Sequence, residues 1–275
     1  MDQILSDLSE PAVIESIELN MFAYHALLQH WPQAEVYDDT EMLQIVTGIP
    51  IPFFNGVFRV QLEPENVNAA IEAALTRSKA RHAPILWQTS PSNRPDNLAS
   101  YLAAHGFVYE GDTPGMAIDL HELDGRLFSP SQVTVKRVTD PETMSEYCRT
   151  ACAGFGMPDS LIGPMIEWGC APGFAAQAPV CHYIGWLNDE PVATSSMVLS
   201  AGVAGIYNVT TIPTSRRRGA GSAVTRKALL EARAMGYRVG TLQASKMGVS
   251  VYRQLGFREY FKLGNYAWKP EPTHN

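Results

Sequence analysis

The chain echoes itself. Gly56-Val57-Phe58-Arg59-Val60 returns 149 residues later as Gly205-Ile206-Tyr207-Asn208-Val209, and Pro64 returns as Pro213 at the same offset. Trp87-Gln88-Thr89-Ser90 returns as Leu242-Gln243-Ala244-Ser245, and Gly106-Phe107 returns as Gly256-Phe257 at an offset of 150. Four matches in one order at nearly one spacing are the mark of a duplication. The expectation is two copies of one fold, each about half of the 275 residues. That length suits two domains of ordinary size, and the expected division is residues 1–125 and 126–275.

Between these landmarks the pattern is mixed α/β. Residues 4–31 read as helical through Leu5, Leu8, Ile14, Ile17, Phe22 and Leu27, with Pro11 interrupting early and Pro32 ending the run. A short strand pair is expected at 35–37 and 42–47. A strand over 57–62 stops at Glu63-Pro64, and a helix follows over 66–81. A strand at 85–88, a polar loop at 90–96 and a helix ending at Gly106 come next, and 124–130 reads as a linker. The second copy begins with a strand at 133–138. Asp140-Pro141-Glu142 then opens a helix, with Asp as its cap and Pro at its first position. A helical region around 161–168 precedes strands at 180–187 and 192–199, joined through the turn Asn188-Asp189-Glu190. After a strand at 205–212 comes a helix over 219–235. Ala220, Val224, Ala228, Ala232 and Met235 line one face of it, and Gly236 is its left-handed stop. A strand at 239–244, a short helix at 250–255 and a final pair of strands from Phe257 complete the chain.

Composition narrows the function. With 45% hydrophobic and 18% charged residues the chain can bury a core. The net charge of −7 is unevenly spread: residues 1–125 carry 5 Lys/Arg against 18 Asp/Glu, and residues 126–275 carry 16 against 10. An anionic ligand therefore belongs on the second half. A nucleic-acid partner is not expected, because the basic residues gather at one loop rather than along a face. Cys148, Cys152, Cys170 and Cys181 form no Cys-x-x-Cys pair, which predicts reduced thiols in a cytoplasmic protein with no bound metal. Cys148 and Cys152 share a helix face and read as a buried thiol pair. The opening Met-Asp-Gln-Ile-Leu-Ser-Asp has no basic region and no apolar run behind it, which predicts no secretory leader. No apolar stretch is long enough to cross a bilayer, so no membrane partner is expected.

The most informative segment runs Val209-Thr-Thr-Ile-Pro-Thr-Ser-Arg-Arg-Arg-Gly-Ala-Gly-Ser222. It leads from a strand through a loop into a helix N-terminus. Gly219 and Gly221 remove the Cβ atoms that keep a ligand from the backbone. The first amides of the helix have no intrahelical partners, and the helix dipole adds partial positive charge there. Such an end holds a pyrophosphate, and Arg216, Arg217 and Arg218 add formal charge beside it. There is no Gly-Lys-Ser/Thr, so this is not a nucleotide-triphosphate loop. Val224 stands where a dinucleotide fingerprint needs its third glycine.

Arg216-x-x-Gly219-x-Gly221, between a strand and an amphipathic helix, resembles the acetyl-CoA loop of the GNAT superfamily of N-acetyltransferases. Ser245-Lys-Met-Gly248-Val-Ser-Val-Tyr252-Arg-Gln-Leu-Gly-Phe257 resembles that superfamily's second signature. The resemblance covers about residues 130–270. It implies two mixed-sheet domains, each a twisted, mostly antiparallel sheet flanked by helices. It also implies acetyl-CoA as cosubstrate, and a small-molecule or peptide amine as acceptor. The backbone of Val209 and Thr211 would take the pantetheine arm. Arg216, Arg217, Arg218, Gly219, Ala220, Gly221 and Ser222 would take the pyrophosphate. Ser245 stands where many members place Asn, and its reach is shorter. Tyr252 is the implied general acid for the departing thiolate. An amide on the bulged strand 207–212 would stabilise charge on the thioester oxygen. The strand position that often carries Glu is here Asn208 or Thr210, neither of which titrates. Glu167, Asp159 and His182 lie in segments near the acceptor side, and none is assigned as base. The first copy has Glu63 and Glu65 where the second has its loop, and is expected not to bind CoA. A second reading is a CoA-binding regulatory or interaction module with little turnover, which the lack of a strand carboxylate favours.

Overall fold

The computed structural model describes residues 3–123, 132–175 and 178–270. Its elements in chain order are α1 (Glu10–Ala26), β1 (Glu35–Asp38), β2 (Leu43–Val46), β3 (Gly56–Phe58), α2 (Val67–Ala80), β4 (Ile85–Thr89), α3 (Leu98–Ala104) and β5 (Val108–Asp119). There follow β6 (Thr134–Arg137), α4 (Pro141–Phe155), α5 (Ile162–Cys170), β7 (Val180–Leu187), β8 (Glu190–Ser200), β9 (Val203–Thr211), α6 (Ala220–Ala234), β10 (Val239–Gln243), α7 (Val249–Gln254) and β11 (Arg258–Trp268). The linker expected at 124–130, and with it the 125/126 boundary, lies outside the described residues.

The chain divides into two compact units, each assembled from two segments. The motif unit holds Met1–Asn20 with Gly115–Tyr260, and the companion unit holds Met21–Pro114 with Phe261–Asn275. α1, β5 and β11 each pass from one unit to the other. In the companion unit the strand order is β1-β2-β3-β4-β11; in the motif unit it is β5-β10-β9-β8-β7-β6. Pairing is antiparallel except for β3 with β4 and β9 with β10. The repeat thus appears as two parallel strand–helix–strand units, β3–α2–β4 and β9–α6–β10. Each copy is closed by the last strand of the other: Gly115–Asp119 pairs β10, and Gly264–Trp268 pairs β4.

Local chemistry explains the elements. Asp140 caps α4 by accepting the Thr143 amide at 2.8 Å, Pro141 fills the first position, and Gly156 ends the helix at φ 70°. Asn188 and Asp189 both take positive φ (52° and 63°), as a two-residue hairpin turn requires. Pro11 sits in the first turn of α1, where no amide is needed, and so opens the helix instead of breaking it. α6 buries Ala220, Val224, Thr225, Ala228, Leu229 and Ala232; Met235 caps its end and is 40% exposed, not part of the buried stripe. Two other expectations change. β3 ends at Phe58 because Arg59 turns to φ 51°, and the final pair of strands is one long strand, β11.

Residues from the N-terminus complete the motif unit. The Leu5 amide donates to Gly202 O at 3.0 Å. Asn20, fully buried, donates to the carbonyls of Val198 (3.1 Å), Ser200 (2.9 Å) and Val203 (3.4 Å) and accepts from Tyr207 Oη at 2.7 Å. A Cβ on Gly205 would lie 1.9 Å from the Asn20 oxygen, so this repeat glycine leaves room for that amide. Truncating Asn20 strands several buried polar groups at once. Asn20→Ala is expected to lower stability by about 3 kcal/mol, read from the denaturant midpoint; an unchanged midpoint would show that the amide is dispensable.

Candidate active site

The site is made by two parallel strands that part. β9 and β10 are in register only at Ala204 with Gly240 and Gly205 with Thr241, while β9 runs on to Thr211 and β10 to Gln243. The cause lies on the other edge of β9. Opposite β8 the register jumps from Tyr207–Ser196 to Thr210–Thr194, so Asn208 and Val209 together face Ser195. Asn208 has φ 52°. One extra residue in a strand bends it and leaves main-chain groups outside the ladder. Crevices at the carboxyl ends of parallel strands are where sheets of this kind take ligands.

The N-terminus of α6 stands at the end of β9, beyond the turn Pro213–Ser215. Gly219 caps it at φ 77°, a conformation that suits glycine, and no side chain caps the first turn. Among the described residues, the amides of Ala220, Gly221 and Ser222 therefore lack both intrahelical and capping partners, in contrast to α4 with its own Asp140. Arg217, Arg218 and Gly219 are exposed, Gly221 and Ser222 are half-buried, and Ala220 is buried in the core. Arg216 is partly committed elsewhere. Its Nε donates to Thr211 O at 3.2 Å and its Nη2 to Gly154 O at 3.1 Å, tying the loop to β9 and to the end of α4.

Gly221 is the telling glycine. A Cβ there would meet Thr211 Oγ1 at 3.5 Å and Val209 Cγ1 at 3.9 Å, ordinary contacts, and its φ is not positive. The fold does not require glycine at this helix position. The space it leaves faces Val209 and Thr211, the strand residues expected to carry the pantetheine arm.

After β10 the second motif folds as expected. Ser245 is exposed, and its Oγ accepts the Gly248 amide at 3.2 Å. Tyr252 on α7 is 8% exposed, and its ring meets Phe257 edge-on at 5.8 Å. Burial alone pushes its hydroxyl up to about 12. The phenol therefore keeps its proton at neutral pH, and it is a weaker acid than a free tyrosine. Among the described residues its hydroxyl has no hydrogen-bond partner.

Around the bulge the structure brings His182, placed near the acceptor side by sequence, together with Tyr147, Thr194 and Ser196, which sequence reading missed. Ser196 Oγ lies 2.7 Å from Tyr147 Oη and 2.9 Å from His182 Nδ1, and it accepts from Asn208 Nδ2 at 3.2 Å. Thr194 Oγ1 donates to the Asn208 carbonyl at 2.9 Å. Burial holds His182 down to about 4, so it is neutral. The only advance signal for these groups was a polar run, Thr194-Ser195-Ser196, inside a strand that reads as buried. Asp159 and Glu167 are exposed. Cys148 and Cys152 are buried, and burial raises Cys148 to about 12, which suits packing and not nucleophilic attack.

Residues 136–260 match the model of the acetyltransferase (GNAT) domain. They are a GNAT acetyltransferase domain. The fold of the whole chain is similar to several solved structures. A GCN5-related N-acetyltransferase from Kribbella flavida is 18% identical, with 90% of this chain and 95% of that one covered and a TM-score of 0.64. One from Sphaerobacter thermophilus is 15% identical, with 98% and 95% covered and a TM-score of 0.60. A tandem GNAT protein from the clavulanic acid biosynthesis pathway is 11% identical, with 99% and 98% covered and a TM-score of 0.61. No curated protein sequence matches. The architecture is a tandem GNAT fold. Among the described residues, no helix is long and apolar enough to cross a membrane.

The open space at Gly221 separates folding from binding. Gly221→Ala is expected to leave stability equal or raised by about 0.5–1 kcal/mol, as helix propensity dictates. Acetyl-CoA affinity measured by calorimetry should fall at least about tenfold. A variant that binds as the wild type does would remove this turn from the cofactor site.

Proposed function

We propose that this protein transfers the acetyl group of acetyl-CoA to a primary amine of a small molecule or peptide by direct attack. The observation that carries the reading is the uncapped, glycine-flanked first turn of α6, set beside Arg217 and Arg218 at the end of the parting strands. A pyrophosphate would bind the amides of Gly219, Ala220, Gly221 and Ser222, with Arg217 and Arg218 supplying charge and Arg216 bracing the loop. The pantetheine arm would run along the freed backbone of Val209 and Thr211 toward Ser245. The amine adds to the thioester carbonyl, and the developing oxyanion is met by a main-chain amide of the bulge. Coenzyme A leaves as a thiolate and takes its proton from Tyr252, which remains protonated well above neutral pH, while the proton shed by the attacking nitrogen passes to solvent, which reprotonates the tyrosinate. Cys148 and Cys152 take no part, and no covalent enzyme intermediate is needed.

In this reading the companion unit is a degenerate copy without a cofactor. Its equivalent loop carries Glu63 and Glu65, which repel a pyrophosphate. Its own chain also covers the strand that would carry pantetheine. Arg94 N donates to Val60 O at 2.9 Å, Leu62 N donates to Arg94 O at 3.1 Å, and Asn93 Nδ2 reaches Val60 O at 3.4 Å.

Tyr252→Phe keeps the ring packing and removes the proton. It is expected to lower kcat by more than about tenfold while leaving acetyl-CoA affinity nearly unchanged. Thiol release, followed with acetyl-CoA against a panel of amines, is the measurement. An unchanged kcat would take Tyr252 out of the mechanism.

A further inference from the structure

Asn208 lies at φ 52°; asparagine enters this left-handed region more readily than most residues with a Cβ, but in the middle of a strand something must still hold it there. Two hydroxyls on β8 do so. Thr194 Oγ1 donates to the Asn208 carbonyl at 2.9 Å, and Ser196 Oγ accepts from the Asn208 side-chain amide at 3.2 Å. Thr194 and Ser196 are both fully buried. Alternate residues of a strand share a face, and the intervening Ser195 turns the other way, where its Oγ donates to Val224 O of α6 at 3.1 Å. Ser196 is in turn fixed from two sides, by Tyr147 of α4 and by His182 of β7. A hydroxyl offers one proton and two lone pairs; with three partners Ser196 is saturated and cannot rotate.

Buried hydroxyls are expensive unless bonded, and valine would fill the volume of Thr194. The duplication provides an internal control. The residue equivalent in the repeat, Arg59, follows the last residue of β3 with almost the same φ, 51°. It is held by an exposed ion pair to Asp38 at 2.5 Å and by the Asp39 carbonyl. The buried hydroxyl clamp accompanies only the copy that carries the glycine–arginine loop.

We propose that Thr194 and Ser196 are positioning residues for acyl transfer, clamping the β9 bulge so that its main-chain amide is aimed at the thioester oxygen before the substrate arrives. The inference rests on the acetyl-transfer reading above. Preorganised donors stabilise developing charge without a reorganisation cost, and a bulge free to relax loses that benefit while the pyrophosphate grip, made elsewhere, persists.

The test needs acetyl-CoA alone. The thioester carbonyl, isotope-labelled, is observed by difference infrared spectroscopy in the bound state, and affinity is measured by calorimetry. Binding to the wild type is expected to move the carbonyl band to lower frequency. Thr194→Val, which is isosteric, should lose that shift, and Thr194→Ser should keep it. All three proteins should bind acetyl-CoA within about threefold of one another. If Thr194→Val does not fold, Ser196→Ala is read in the same way. A full shift in the valine variant with cofactor bound overturns the clamp alone. Failure of the wild type to bind acetyl-CoA overturns the transfer reading and the clamp with it.

Discussion

The working part of this protein depends on one strand leaving its neighbours. β9 begins as an ordinary central strand, parallel to β10 and antiparallel to β8. At Asn208 an extra residue turns it, and from there the main chain stays paired with β8 through Thr210 and Thr211 but no longer meets β10. Three things follow from that turn. Backbone groups become free along Val209–Thr211, a gap opens beside β10, and α6 starts at the mouth of the gap. The bulge interrupts the ladder, and although asparagine tolerates positive φ it needs help to stay there in the middle of a strand. Buried hydroxyls, an imidazole kept neutral by burial and a tyrosine from α4 supply that help.

Much of this was legible in the chain. The glycine–arginine segment announced both the strand end and the helix start, because glycine at φ 77° and an uncapped first turn have few other uses. Asp140-Pro141 and Asn188-Asp189 set their helix and turn by local rules that need no tertiary knowledge. The repeat showed that two strand–helix–strand units exist, and both are present. The less legible features are those decided by distant partners. Asn20 gives no sign in sequence that it will serve carbonyls some 180 residues away. Thr194 and Ser196 read as unremarkable strand residues until Asn208 is seen to need them. β3 is shorter than its apolar run suggests because Arg59 bends away, which only its partner Asp38 makes tolerable.

The two copies show how the same backbone device can be opened or shut. Both turn at the same repeat position, Arg59 and Asn208, with nearly the same angle. In the motif unit the freed strand stays open toward a turn rich in glycine and arginine. In the companion unit the segment after β4 folds back and occupies the freed strand with its own amides and carbonyls. In the proposed reading, Glu63 and Glu65 stand where a diphosphate would have to sit. The difference lies not in the fold but in about a dozen residues of loop.

The exchange of closing strands has a bearing on how such a chain can change over generations. A half that binds no cofactor, as proposed for the companion copy, is ordinarily the first thing a gene can discard. Here the stretch Gly115–Asp119, encoded before the second copy begins, completes the sheet on which the glycine–arginine helix rests, and Gly264–Trp268 returns the favour at the far end. Truncation on either side removes a strand from the half that remains. On the reading proposed above, the companion copy is retained as scaffold, free to drift in its loops but not to disappear.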